Sequence, residues 1–207
     1  MKQVRSTGLL LLAAGESSRL GKPKQQLVYR GMSLLQRAIH AGLGSNCERP
    51  LVILGAYHEK ILSEMPPRQV DLVINSDWKG GMSTSIKTGM KALLNRHEPD
   101  QVIIMLCDQP FVDENLLNQL ITTQQVTGKS IVACAYQKTI GVPVLFDKKF
   151  FPLLFDLHGK EGAKKIISEF PEEIATVPFP LGHIDIDTPT DFKHLKDGEL
   201  NEGKNVL

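Results

Sequence analysis

Near its start the chain carries small residues followed by hydroxyls and cations, a combination suited to binding a polyphosphate. Small side chains let backbone N–H groups approach an anion closely, hydroxyls add donors, and cations neutralise negative charge. The residues that we assign to this contact are Ala13, Ala14, Gly15, Ser17, Arg19 and Lys24. The apolar residues 9–12 before them predict a buried strand that delivers the loop to the phosphates.

Two familiar phosphate-binding motifs do not match this loop. In a P-loop four residues separate the glycines and Lys-Ser/Thr follows, whereas five residues separate Gly15 from Gly21, and Lys22 precedes Pro23. No G-x-G-x-x-G motif follows a predicted strand either, because the glycines at 42 and 44 end a predicted helix. The alternative to a phosphate loop is an apolar strand that ends in a turn with solvated charges.

A second glycine-containing stretch, residues 75–90, also leads from a strand into a helix. Gly80 and Gly81 precede Ser83, which we predict to be the N-cap of a helix over 84–95, so free N–H groups would lie beside a strand end. The candidate nucleotide contacts in this stretch are Asn75, Gly81, Ser83 and Ser85. The alternative is a plain loop before a solvent-capped helix, with Trp78 covering the core.

Three aspartates lie where a divalent cation could bind. Asp108 follows the apolar run 101–106, a predicted central strand, and open α/β sheets bind ligands at the carboxyl ends of such strands. Asp185 and Asp187 alternate with apolar residues, so both point to one face, where two carboxylates could share a cation. The alternatives are that Asp108 is a capping or turn aspartate before Pro110, and that Asp185 and Asp187 are capping aspartates beside a turn, near a helix that begins at Pro189.

These residues depend on a framework of alternating strands and helices. Predicted helices span 33–43, 58–64, 84–95, 113–124 and 150–157, and predicted strands span 51–54, 70–74, 101–106, 130–135, 140–146 and 174–178. The initial β-α-β-α-β order predicts an α/β fold, a single-domain, doubly wound, mainly parallel sheet in three α/β/α layers. We expect this domain over 1–196 and a flexible tail over 197–207, where the sequence turns polar.

Composition narrows the class of partner. The 207 residues carry a formal net charge of +1, with 42% hydrophobic and 23% charged residues, which is ordinary for a globular domain and favours neither nucleic acid nor membrane as a partner. The 3 cysteines are widely spaced and form neither a disulfide framework nor a C-x-x-C metal site. Because the apolar run 9–14 is also short for a signal peptide, we expect a cytoplasmic protein.

The sequence resembles the small nucleotidyltransferases of the molybdenum cofactor cytidylyltransferase type over nearly its whole length. Several segments in the same order carry this resemblance, and together they are specific where each alone is weak. They are Leu12-Ala13-Ala14-Gly15-x-Ser17-x-Arg19-x-Gly21 with Lys24, Asn75-x-x-Trp78-x-x-Gly81-Met82-Ser83-x-Ser85, Asp108-Gln109-Pro110, Gly141-x-Pro143 and Asp185-Ile186-Asp187-Thr188-Pro189-x-Asp191.

The resemblance implies a nucleotide-diphospho-sugar transferase-like fold and a set of roles. The first loop would wrap a nucleoside triphosphate, Arg19 and Lys24 would act in catalysis by neutralising it, and Asp108 and Asp187 would hold Mg²⁺. Related guanylyltransferases usually read Leu-Ala-Gly-Gly in this loop, so Ala14 favours CTP. The implied acceptor is the phosphate of molybdopterin or the molybdenum cofactor, with a molybdoenzyme as the eventual recipient.

One segment departs from the family pattern. The family commonly has Gly-Asp-x-Gly-Ala-Arg where this chain has Lys160 and Lys164 in place of the acid and the arginine. Two alternatives to the implied function therefore stay open. One is nucleotidyl transfer to a sugar or polyol phosphate, and the other is a non-catalytic accessory protein that binds and delivers the molybdenum cofactor.

Overall fold

A computed structural model describes residues 5–64 and 70–198, and their strands form one large sheet and one small hairpin. The strands are β1 (Thr7–Ala13), β2 (Val28–Tyr29), β3 (Met32–Ser33), β4 (Leu51–Leu54), β5 (Asp71–Ile74), β6 (Gln101–Leu106), β7 (Ile131–Tyr136), β8 (Thr139–Asp147) and β9 (Ile174–Pro178). The large sheet has the order β5-β4-β1-β6-β8-β7-β9. Strand β8 is antiparallel to both its neighbours, and every other pair in this sheet is parallel.

Helices cover both faces of the large sheet. They are α1 (Leu34–Gly44), α2 (His58–Glu64), α3 (Met82–Arg96), α4 (Glu114–Thr127), α5 (Phe151–Asp156), α6 (Ala163–Glu169) and α7 (Pro189–Asp197). Side chains of β1 alternate between two cores, with Leu9 and Leu11 packed towards α1 and α4, and Leu10 and Leu12 towards α3, α5 and α6. The expected mainly parallel α/β fold in three layers is therefore confirmed. Among the described residues, no helix combines the length and apolarity that a membrane span requires.

A third, smaller core connects the beginning of the chain to its end. Leu20 and Leu27 from the first loop pack with Ile184 and Ile186, and Leu195 of α7 joins them. All five side chains are buried. This cluster holds the segment before α7 against the first loop, and it thereby brings together residues that lie far apart in the sequence.

Two helix starts show how well local signals predicted the elements. At α7, Thr188 forms a capping box with Asp191, and Pro189 occupies the first turn, as expected. At α3, the prediction that Ser83 is the N-cap is wrong: the helix begins at Met82, and Gly81 precedes it with a φ of 97°. The predicted tail lies outside the described residues from 199 onwards, and Asp197 belongs to α7.

Candidate active site

A lysine lies between two aspartates at the carboxyl edge of the sheet. The Lys24 ammonium donates to Asp108 Oδ2 at 2.7 Å and to Asp187 Oδ1 at 2.6 Å. Arg19 donates from Nη2 to the other oxygen of Asp187 at 2.7 Å. The structure thus brings together the four residues to which the resemblance gave catalytic or metal-binding roles, and Asp185 makes none of these contacts.

Three parts of the chain hold this group, namely the end of β6, the segment before α7 and the first loop. Asp108 follows the end of β6, which is sandwiched between β1 and β8. The segment that carries Asp187 is fixed to it because the Ile186 N–H donates to the Asp108 carbonyl at 3.0 Å. Lys24 is oriented by its own backbone N–H, which donates to the Ser17 hydroxyl at 3.1 Å. The side chain of Ser17 is therefore already engaged within the loop.

Burial and the opposite charges have opposing effects on these groups. Burial alone would lower the pKa of Lys24, but the charge of Asp108 and the hydrogen bonds to both carboxylates raise it instead. Burial would raise the pKa of Asp187, yet its hydrogen bond to Lys24 and the charges of Lys24 and Arg19 hold that pKa below its ordinary value. The neighbouring Cys107 thiol has a pKa of about 12, chiefly through burial and then through the charge of Asp108. Lys24 is thus a permanent cation here, and Cys107 stays protonated.

The first loop forms one wall of a cavity of about 310 Å³. The cavity is lined by Leu12, Ala13, Ala14, Gly15, Glu16, Lys24, Gln25, Trp78, Lys79, Gly81, Met82, Ser85, Leu106, Cys107 and Asp108. Gln25, almost fully buried, stabilises the loop: its Nε2 donates to the carbonyls of Ala13 at 2.7 Å and Gly15 at 3.2 Å. Because Gln25 binds these two carbonyls, the turn at Gly15 is held in place at the cavity.

The second stretch forms the opposite wall, and its buried polar residues organise it internally. Asn75 Nδ2 donates to the hydroxyls of Thr84 at 2.9 Å and Ser85 at 3.0 Å. The Ser83 hydroxyl donates to the Gly159 carbonyl at 2.9 Å. Asn75 and Ser83 are each 2% exposed and do not line the cavity, whereas Gly81 and Ser85 do. The contacts support a positioning role for Asn75 and Ser83.

Sequence reasoning missed three polar residues of the cavity, Glu16, Gln25 and Lys79. Gln25 follows Lys24 directly, and Lys79 lies beside the paired glycines with its ammonium 5.5 Å from the centre of the Trp78 ring. A cation next to a glycine pair at a strand end was the available signal for Lys79. Arg19 differs from the prediction in position: it is 68% exposed and reaches Asp187 from outside the cavity.

A comparison with protein families covers the segments that carry Arg19, Lys24 and Asp108, and it ends before Asp187. The model of the MobA-like NTP transferase domain matches residues 9–174, from the first buried strand to the last strand of the sheet. The chain belongs to this family. The resemblance deduced from the sequence motifs is therefore confirmed, and the chain is placed among the nucleotidyltransferases.

This MobA-like NTP transferase is similar to proteins with diverse names. It is 30% identical to Nicotine blue oxidoreductase of Paenarthrobacter nicotinovorans over 148 residues, 71% of this chain and 69% of that protein. It is 25% identical to the Purine catabolism protein PucB of Bacillus subtilis over 90% of this chain and 94% of that one. The crystal structure of Rv0371c from Mycobacterium tuberculosis superposes with a TM-score of 0.79 at 25% identity, covering 94% of this chain and all of that one. Rv0371c has also been crystallised with manganese.

The atypical segment of this MobA-like chain contacts the second loop of the site. A side chain at Gly81 would collide with the Gly159 carbonyl, which also accepts from the Ser83 backbone N–H at 3.2 Å. Lys160 and Lys164 on this segment are exposed. The departure from the family pattern therefore lies beside the wall formed by the second loop.

The carboxylates of this MobA-like chain suit a divalent cation. Asp108 Oδ1 is buried and has no hydrogen-bond partner in the part of the chain that the structure describes. No group of three or more His, Cys, Asp or Glu residues in that part could hold a metal alone. Mg²⁺ is commonly bound by only one or two carboxylates plus substrate phosphates, so Asp108 and Asp187 fit such an ion when a nucleotide is present.

Proposed function

We propose that this protein is a Mg²⁺-dependent cytidylyltransferase. It would transfer CMP from CTP to the phosphate of a small-molecule acceptor, most closely molybdopterin or the molybdenum cofactor, and release pyrophosphate. The observation that carries this proposal is the position of Lys24 between Asp108 and Asp187, beside a cavity walled by a loop of small residues. A cation and two metal-binding carboxylates beside such a loop match the requirements of a triphosphate.

The residues of the site would have distinct parts in the reaction. Backbone N–H groups of residues 13–15 would bind the β- and γ-phosphates, and Lys24 and Lys79 would neutralise charge as the pyrophosphate leaves. The acceptor phosphate is already a competent nucleophile, so no strong general base is needed, and alignment with electrostatic stabilisation would supply the catalysis. Arg19 would keep Asp187 ionised and oriented.

Asp108 and Asp187 would hold Mg²⁺, and Asp108 Oδ1 has no hydrogen-bond partner among the described residues. When bound, the ion would act as a Lewis acid on the phosphate oxygens. The crystallisation of Rv0371c, a protein of similar structure, with manganese supports the binding of a divalent ion here.

The nucleotide and the acceptor are the finer parts of the proposal. Ala14 in the first loop supports CTP over GTP, by resemblance to the cytidylyltransferases. Among acceptors, a sugar or polyol phosphate is the alternative, because Lys160 and Lys164 depart from the family pattern. A non-catalytic protein that delivers the molybdenum cofactor would use the same cavity, but it would not require Lys24, Asp108 and Asp187 together.

The test is pyrophosphate release from CTP, GTP, UTP or ATP with Mg²⁺ and molybdopterin, glucose 1-phosphate or ribitol 5-phosphate. We expect turnover with CTP and molybdopterin, and a loss of about a hundredfold or more in Asp108→Asn and in Lys24→Ala. Asp156→Asn is the matched control, since this exposed carboxylate lies outside the site. Near-normal turnover of Asp108→Asn would exclude its role as a metal ligand. Saturable binding of molybdopterin without pyrophosphate release would favour the delivery protein.

A further inference from the structure

Tyr136, which the proposed mechanism does not use, ends β7 on the same side of the sheet as Asp108. Strands β6 and β7 are both antiparallel to β8, so they run in the same direction and their carboxyl ends meet at one edge. Tyr136 is the last residue of β7, and Asp108 comes two residues after β6. The topology therefore places this phenol at the functional edge.

The ring of Tyr136 is held in one orientation by its neighbours. It packs edge-to-face on Phe179, with ring centroids 6.5 Å apart. A Cβ on Gly182 would lie 2.5 Å from Tyr136 Cδ1, and a Cβ on Gly141 would collide with the Tyr136 hydroxyl. Both glycines leave space that this ring occupies, so the hydroxyl position is well defined.

The residues around this ring are connected to the catalytic aspartate. Gln109, which follows Asp108, donates from Nε2 to the Gly182 carbonyl at 3.0 Å and to the Val142 carbonyl at 3.2 Å. The Gln109 side chain is buried, and its Oε1 has no partner among the described residues. Gln109 and Gly182 thus connect the ring of Tyr136 to Asp108. The ring itself does not line the cavity of the first loop.

The hydroxyl of Tyr136 is available to a ligand. The side chain is half-buried, and within residues 5–64 and 70–198 the structure gives the hydroxyl no hydrogen-bond partner. Burial, and then the negative charges nearby, including those of Asp185 and Asp108, raise the pKa of this phenol, so it remains protonated and able to donate. Asp185 is an exposed carboxylate that would repel a second anion at this position.

In-line displacement requires the acceptor to approach the α-phosphorus opposite the departing pyrophosphate. The pyrophosphate would lie in the cavity of the first loop. The acceptor would therefore lie on the other side of Asp108, towards Tyr136. This step depends on the proposed function.

We propose that Tyr136 is a specificity-determining residue for the acceptor substrate. Its hydroxyl donates a hydrogen bond to an uncharged oxygen or ring nitrogen of the acceptor, close to the phosphate that attacks. A second phosphate is disfavoured there because Asp108 and Asp185 are both nearby.

The test uses Tyr136→Phe, which keeps the packed ring and removes only the hydroxyl. Steady-state kinetics with MgCTP and molybdopterin should show a KM for molybdopterin raised about threefold to tenfold, the loss of one neutral hydrogen bond, with an unchanged KM for CTP. Equilibrium titration of molybdopterin into protein preloaded with CTP and Ca²⁺ should show the same change in Kd. Tyr57→Phe, at an exposed tyrosine outside the site, is the matched control.

The outcomes separate this inference from the proposed function. Absence of pyrophosphate release by the wild type would contradict the proposed function, while the titration would still compare the two proteins for molybdopterin, glucose 1-phosphate and ribitol 5-phosphate. Equal acceptor affinity in wild type and Tyr136→Phe, or a KM for CTP that rises by the same factor as that for the acceptor, would overturn the role of Tyr136. Binding of none of the three acceptors by the wild type would overturn it as well.

Discussion

Removing the Lys24 side chain should make the nucleotide-free protein bind a divalent ion more tightly, although it removes a catalytic group. The Lys24 ammonium contacts Asp108 at 2.7 Å and Asp187 at 2.6 Å, between the two carboxylates that the ion would use. Without a nucleotide to attract Lys24 elsewhere, an incoming ion has to displace it. The lysine is therefore a competitor for the metal as well as a partner for the phosphates.

The size of the effect follows from these contacts. A hydrogen bond to a charged group contributes about 1.5–3 kcal/mol, and we count one such bond because the released ammonium regains water and Asp187 is 28% exposed. With about 1.4 kcal/mol for each tenfold change, Lys24→Ala should bind the ion about tenfold to a hundredfold more tightly.

The assay is a titration of nucleotide-free protein with Mn²⁺, in which electron paramagnetic resonance reports the free ion. Lys22→Ala is the matched control, because it removes a nearby positive charge from the same loop without breaking a bond to either aspartate. Equal Mn²⁺ affinity in wild type and Lys24→Ala would refute the competition. An equal gain in Lys24→Ala and Lys22→Ala would show general electrostatics in place of direct displacement.

Two further predictions concern the loops and pH. Gly81→Ala should lower the free energy of unfolding by about 1–3 kcal/mol, since its φ is 97° and a Cβ would collide with Gly159. Gly15→Ala has no atom within 4 Å of its added Cβ, so its free energy of unfolding, measured by chemical denaturation, should stay within about 0.5 kcal/mol of wild type. The same substitution should weaken CTP binding, measured by calorimetry. Equal destabilisation by both would contradict this. The pKa of Asp187 is lowered from 3.8 in the folded state, so its carboxylate stabilises the fold above that pH. The difference in unfolding free energy between wild type and Asp187→Asn should be constant from about pH 7 to pH 5 and should decline as the pH falls through the folded pKa. A difference that persists unchanged to pH 2 would contradict the ion pairs as its source.

The predicted fold was correct because local signals agreed with one another. The apolar runs were continuous enough to indicate buried strands, and Ser33 caps α1 through a capping box with Gln36. Asp108 could be selected as a candidate because it follows a continuous apolar strand, at the edge where open α/β sheets bind ligands. These inferences needed only short windows of sequence.

The second loop was less accurately predicted. Asn75 and Ser83 are residue types that often contact ligands. In the structure, however, the Asn75 side chain binds the hydroxyls of Thr84 and Ser85. The Ser83 hydroxyl binds the Gly159 carbonyl. A short polar residue near a helix start can bind a ligand or the backbone equally well, and which one it binds depends on the atoms brought within about 3 Å. Gly159 lies in a segment far downstream, so the residues around Ser83 do not predict this contact.

The sequence by itself determined the α/β class, the family and the residue types of a phosphate site, because these follow from periodicity and from motifs read along one segment at a time. The tertiary structure decided that Lys24 bridges Asp108 and Asp187, 84 and 163 positions away, and that Arg19 reaches Asp187 from outside the cavity. The physical reason is the small core of Leu20, Leu27, Ile184 and Ile186, whose burial brings the first loop against the segment before α7. The hydrophobic effect is non-directional, so apolar residues in one segment do not specify which distant segment packs against them. The distances between the charged groups that this packing brings together are therefore known only from the folded protein.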